Sequence, residues 1–164
     1  MRRKGQAAVE YALLIGGVIA PFTLGLVAMA QMMWVWHSVV DFTRLGARYA
    51  ATHCWQPGAE NVVAWMRQNT PPMPDQAAFR DGTVDIAVEY FKKNPDTGVL
   101  ETFSCDGNCS AACIPDTVTV HVRNYEFRSF VGYLGLSPVA IPDFSATMPI
   151  EGAGCDPEQQ TCQP

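Results

Sequence analysis

Six cysteines, three histidines and one isolated carboxylate carry most of the chemistry available to this 164-residue chain. The cysteines are Cys54, Cys105, Cys109, Cys113, Cys155 and Cys162. An even number of thiols in a small exported domain points to disulfides, whereas in a reducing compartment the same thiols would more often hold a metal. The run Cys105-x3-Cys109-x3-Cys113 fits a metal poorly. Zinc knuckles and ribbons use shorter cysteine spacings with a further Cys or His at a set distance, and iron–sulfur patterns differ again. The expected metal complement is therefore none, and spacing alone leaves the disulfide pairing open.

The histidines add little catalytic promise. His53 adjoins Cys54, but neighbours along a helix do not face each other, so a disulfide is the expected fate of that thiol rather than an activated thiolate. His37 has no carboxylate or cysteine at helix spacing, and His121 has no plausible nucleophile beside it. The sequence contains no Gly-rich phosphate loop, no Gly-x-Ser-x-Gly elbow and no His-Glu-x-x-His. The expectation is a protein that is not an enzyme and takes no cofactor.

Glu10 is the carboxylate that needs a reason. It stands at the start of an uncharged run, residues 11–36, preceded by Arg2, Arg3 and Lys4. About 20 apolar residues cross a bilayer core of about 30 Å, so this run is long enough to span, with the three cations holding the amino terminus on the cytoplasmic side. A charge inside an apolar helix is unfavourable by about 2.5 to 3.5 kcal/mol at the bilayer centre and by less near the interface, and such a residue usually has a partner. A cut between Gly5 and Gln6 would create an α-amino group five residues from Glu10, able to pair with the carboxylate of a neighbouring copy. Without such a cut, Glu10 would merely mark the solvated edge of a signal anchor. A conventional cleaved signal is disfavoured, although Ala28-Met29-Ala30 offers a late small-residue site, because the apolar core is too long and the helical pattern continues past it.

Basic residues, a glycine, five residues ending in glutamate and then a long apolar helix form the processing pattern of type IV prepilins and pseudopilins. The stretch Gly5-Gln6-Ala7-Ala8-Val9-Glu10-Tyr11-Ala12-Leu13, with Arg44-Leu45-Gly46-Ala47-Arg48-Tyr49-Ala50-Ala51 downstream, resembles the TadE-type pseudopilins of tight-adherence pilus systems. The resemblance covers about the first third of the chain and is only architectural beyond Cys54. It implies a leader of residues 1–5, a prepilin peptidase that cuts after Gly5, Gln6 as the mature amino terminus and Glu10 as the assembly residue. It also implies a structural subunit at the bacterial inner membrane with an extracytoplasmic head, in contact with lipid, other pilin subunits and the inner-membrane assembly platform. Pilins of this kind often begin with Phe or Met and carry an N-methyl group; Gln6 departs from that. The competing expectation is an uncleaved single-span protein whose head binds a ligand or polymer.

The elements that would position these residues follow from periodicity. A helix over residues 6–54 would be a rod of roughly 70 Å, well over twice the bilayer core, with residues 11–36 in the membrane. In its outer half Val39, Phe42, Gly46 and Tyr49 share one face, while Asp41, Arg44 and Arg48 share another. Pro21 removes a helix hydrogen bond and predicts a kink or local melting over residues 17–21. Gly16, Gly17 and Gly25 offer close-packing surfaces to other helices, and Trp34 and Trp36 suit the headgroup boundary.

Residues 55–164 form the expected head. Pro57-Gly58 and Pro71-Pro72-Met73-Pro74 bracket a short helix over residues 59–69 with Val62, Val63 and Met66 inward. Alternation marks strands at residues 84–90 and 118–123, with further candidates at 125–133 and 140–150. Asn94-Pro95-Asp96-Thr97-Gly98 is a turn that closes a hairpin onto residues 99–103. The expected fold class is α+β and pilin-like, with a small antiparallel sheet on the amphipathic half of the long helix. About 110 residues suffice for one modest core. In keeping with the disulfide-bounded region of many type IV pilins, Cys155–Cys162 is the first choice for a local bridge. Cys54 would then join one of Cys105, Cys109 and Cys113, leaving the other two to pair.

Charge disfavours nucleic acid as a partner. The chain carries 11 basic and 16 acidic residues; loss of Arg2, Arg3 and Lys4 leaves 8 against 16, shifting the balance from -5 to -8. An acidic surface repels phosphate backbones, and Lys92-Lys93 reads as a solvated turn entrance.

Overall fold

The computed structural model describes residues 3–107, 109–128, 132, 135, 137–156, 158–159 and 161–162, with side chains from Gly5 onward. Met1 and Arg2 of the expected leader, and residues 129–131 and 133 of the strand expected over 125–133, lie outside the described residues.

A single rod forms the amino-terminal third: α1 (Arg3–Leu14), a π-helical turn (Ile15–Ile19) and α2 (Ala20–Thr52). Its segment Gly5–Thr52 is 48 residues long, and its most apolar window has a mean hydropathy of 2.2 with no residue buried. By length and composition it can cross a membrane. Pro21 neither breaks nor melts it. The ring cannot donate a backbone hydrogen bond, and the helix answers by widening just ahead of it, where the Ala20 N–H bonds back to the Ile15 carbonyl. A π-turn lets the flanking α-helices continue where the i to i−4 ladder is interrupted. The rod ends at Thr52, where His53 turns extended (φ -121°, ψ 153°), two residues short of the expected limit.

Only the outer half of α2 is covered. Val35, Val39, Phe42, Thr43, Gly46, Ala47 and Ala50 are buried, a stripe at three- and four-residue spacing. Tyr49, expected on that face, is half-buried at its margin. Asp41 and Arg44 lie on the opposite, exposed face with their charges 3.9 Å apart.

The head follows as α3 (Glu60–Gln68), α4 (Gln76–Arg80), β1 (Asp85–Lys93), β2 (Leu100–Thr102), β3 (Thr117–Arg123), β4 (Glu126–Phe127), β5 (Val139–Ala140), β6 (Phe144–Pro149), β7 (Cys155–Asp156) and β8 (Thr161–Cys162). An antiparallel sheet of order β2-β1-β3-β6 lies against α2 through β3 and β6. In β3, Val118, Val120 and Val122 are buried and alternate with half-buried Thr117, Thr119, His121 and Arg123. Period-two alternation of this kind gives a strand one core face and one solvent face. The outer face is polar: Arg123 and His121 approach Glu89 across the β1–β3 pair at 3.2 and 3.7 Å, and the Thr119 and Thr147 hydroxyls bond at 2.9 Å.

Three features depart from the expected layout. Among the described residues, the strand expected over 125–133 is reduced to β4, because Tyr125 and Arg128 fall outside any strand and Gly132 is helical. The segment 140–150 is not one strand: β5 pairs with β4 in its own two-stranded ribbon, and β6 joins the main sheet after Ile141, Pro142 and Asp143. The short α4 was not foreseen. It forms because Gln76 Nε2 donates to the Thr70 carbonyl at 2.8 Å and Arg80 Nε to the Thr70 hydroxyl at 3.0 Å, which places Phe79 in the core.

Two glycines permit close approaches. A Cβ on Gly46 would fall 2.5 Å from Met66 Sδ, so the missing side chain lets α3 seat its buried methionine directly on α2. Gly154, at φ +65°, stands where a Cβ would strike the Thr52 carbonyl oxygen, and its bareness lets the carboxy-terminal segment pack against the end of α2.

Candidate functional site

Gly5, Gln6 and Glu10 all lie on α1, and all are exposed. A four-residue separation puts Gln6 and Glu10 on one face, one turn apart. Gln6 Nε2 donates to Glu10 Oε1 at 3.4 Å, a long bond between two exposed side chains. A Cβ on Gly5 would meet nothing within 4 Å, so packing within this chain does not require glycine there; the same holds for Gly16, Gly17 and Gly25.

Around and beyond Glu10 the helix presents unpartnered apolar surface, including Tyr11, Leu13, Val18, Phe22 and Met29, each more than 60 % exposed. Contiguous apolar surface on this scale marks a membrane or protein contact. It ends where the head begins. The ring of Trp36 stands edge-on to Phe144 of β6 with centroids 4.8 Å apart, and Val35 is fully buried. The head therefore reaches down to the last turn of the uncharged run. Trp34 is half exposed, whereas Trp36, expected at the headgroup boundary, also packs on the sheet.

All six cysteines are paired: Cys54–Cys109, Cys105–Cys113 and Cys155–Cys162. The thiolates that a zinc site would use are thus consumed. Cys54 lies two residues past the end of α2, so its bridge ties the 105–113 loop to the helix exit, where the Cys109 N–H also donates to the Trp55 carbonyl at 3.1 Å. His53 does not address Cys54. Its ring stacks on Tyr49 with centroids 3.6 Å apart, and Nδ1 lies 2.9 Å from the Tyr49 carbonyl; Tyr49 stacks in turn on Trp65 at 4.3 Å. His37 is exposed.

The head also contains a cavity of ≈ 500 Å³ between α4 and the β3–β4 corner, lined among others by Asp75, Asp81, Thr83, Tyr125 and Arg128. Its lining residues are up to 54 positions apart, counting from Pro74 to Arg128, and no motif announces them. The Tyr125 hydroxyl donates to Asp75 Oδ2 at 3.0 Å. Burial, then the charge of Asp75 and that bond, hold the Tyr125 phenol above its ordinary value of 10.0. Asp81 is held below the usual carboxylate range, chiefly by the Thr83 backbone N–H that donates to it.

Tyr90 is raised by burial alone, and its hydroxyl has no hydrogen-bond partner among the described residues. An unfolded phenol loses its proton near pH 10, whereas both folded phenols hold theirs to higher pH. Their contribution is present below pH 10 and lost as pH rises beyond it. Full-length protein is therefore expected to lose thermal stability above about pH 10. Tyr90→Phe should reduce that loss and raise stability at neutral pH by about 1 kcal/mol, since it removes a buried hydroxyl without a partner. Melting curves from pH 7 to 11 check both effects; a Tyr90→Phe protein less stable at pH 7 contradicts the assignment.

The chain matches no protein-family model, no curated protein and no solved structure.

Proposed function

We propose that this chain is a TadE-like pilin or pseudopilin of a tight-adherence, type IV-like pilus. It inserts into the inner membrane with its head on the extracytoplasmic side, is cut by a prepilin peptidase between Gly5 and Gln6, and packs with other subunits through the helix that follows. The observation that carries this reading is Glu10: an exposed carboxylate near the start of a 48-residue helix whose membrane-length first half is apolar, with one long side-chain bond among the described residues. In hydrocarbon that arrangement is costly for an isolated helix and becomes favourable when neighbouring subunits supply donors. Gly5 supports it, because a glycine that the fold does not need suits recognition by an enzyme. The open glycines at 16, 17 and 25 suit close approach of helices in lipid. The chemistry of the molecule is assembly, and the disulfide-tied head supplies what the assembled structure presents.

The cavity beside Tyr125 favours a second reading, an uncleaved single-span protein with a ligand-binding head. One pair of variants separates them. Gly5→Leu is expected to retain the leader, seen as a heavier band than wild type, and to abolish surface pili. Glu10→Ala is expected to be cut normally yet fail to assemble. An unchanged size in the first and normal pili in the second would defeat the proposal.

A further inference from the structure

We infer that the mature chain bears a lactam at Gln6 in place of a free α-amine. This rests on the proposed cut after Gly5. Cleavage would turn an internal glutamine into an amino-terminal one, whose α-nitrogen can reach the Cδ of its own side-chain amide and close a five-membered ring. The N–Cδ bond forms and the Cδ–Nε2 bond breaks. The electron pair of the broken bond leaves with Nε2, which takes up the proton shed by the attacking amine and departs as ammonia. Nothing is oxidised and no co-reactant is consumed. An unperturbed α-amino group titrates at about 7.7 to 8.0, so a substantial share is the neutral nucleophile near pH 7.5.

The surroundings permit the closure. Gln6 is exposed, so no packed side chain opposes rotation of its amide toward the new terminus. The leaving atom Nε2 already contacts Glu10 Oε1 at 3.4 Å, so the carboxylate stands beside the nitrogen that departs.

Closure changes the electrostatics of the assembly region. The terminus loses its positive charge, and with it the desolvation cost of holding an ammonium at the edge of an apolar bundle. It also removes the basic amine that N-methylation would require. The pairing of an α-ammonium with Glu10 of a neighbouring copy is then replaced by a neutral donor, the ring N–H.

The test uses full-length protein extracted from membranes and quenched in acid, with the amino-terminal peptide read by tandem mass spectrometry and by stepwise amino-terminal degradation. The expected peptide begins at position 6, is one ammonia lighter than the encoded sequence, and resists degradation until a pyroglutamyl aminopeptidase removes the ring. In Gln6→Ala the ammonia loss and the block should both vanish while the cut position is unchanged. A peptide that begins at Gln6 with a free or methylated amine overturns the lactam and leaves the cleavage standing. A peptide that begins at Met1 overturns the cleavage, and the lactam with it.

Discussion

Replacing Cys54 and Cys109 together with alanine is expected to lower the stability of the head by about 4 kcal/mol, the loop-entropy value for cross-linking across a 55-residue separation. The other two bridges span separations of 8 and 7 residues, for which the same relation gives about 2.5 kcal/mol. The ranking also has a structural cause. Cys54 is fully buried immediately beyond α2, and its partner belongs to the loop that crosses the helix exit, so this bridge joins the rod to the head. The Cys155–Cys162 bridge closes only the small β7–β8 ribbon. Chemical denaturation of full-length protein in detergent, followed by near-ultraviolet circular dichroism, measures both losses. A Cys155→Ala/Cys162→Ala protein that loses as much as Cys54→Ala/Cys109→Ala would contradict this account of what joins rod and head.

Phe79→Ala should cost about 3 to 5 kcal/mol, the range for deleting a buried aromatic side chain. Phe79 is fully buried and stands edge-on to Phe42 of α2 at 5.6 Å and tilted against Tyr125 at 5.1 Å. One ring therefore touches the rod, and through Tyr125 reaches the start of the β4–β5 ribbon. Its removal should loosen the head from α2 before it unfolds the sheet, because the β1–β3 and β3–β6 pairings do not pass through it. Hydrogen exchange should accelerate in residues 39–50 of α2 more than in β3, while Phe79→Leu should keep part of the protection. A loss below about 1 kcal/mol, or equal acceleration in both elements, would show that Phe79 does not help hold the head on α2.

What could be read from the sequence is what periodicity encodes. The stripe through Val39, Phe42 and Gly46, the alternation in β1 and β3, and the length of the apolar run all follow from side chains repeating every 3.6 or 2 residues. Elements shorter than two periods carry no such signal. The five residues of α4 follow a proline-rich segment and owe their helix to side-chain bonds with Thr70, a contact invisible to local pattern. The two-residue β4 and β5 exist only because they pair with each other. Pro21 announced a broken hydrogen bond, but not that the helix would absorb it as a π-turn and run on. Cysteine spacing could not choose among the 15 pairings open to six thiols, because connectivity depends on which loops the fold brings to the end of α2.

The candidate site divides the same way. The one-turn spacing of Gln6 and Glu10 dictates their shared face, and the exposed apolar surface around them follows from composition. The cavity by Tyr125 is assembled from α4 and the β3–β4 corner and has no sequence signature. Likewise, only the packed structure brings Trp36 onto Phe144, because the tryptophan belongs to the uncharged run and the phenylalanine to a strand more than a hundred residues later.

The central claim is that the Gly5–Gln6 bond is cut and that the helix beyond it is an assembly element. The most direct measurement is the intact mass of the protein recovered from membranes of cells that also express the prepilin peptidase, set beside the mass from cells lacking that peptidase. The account predicts a mass short by residues 1–5 in the first and the full precursor in the second. The same full-length mass from both would contradict it.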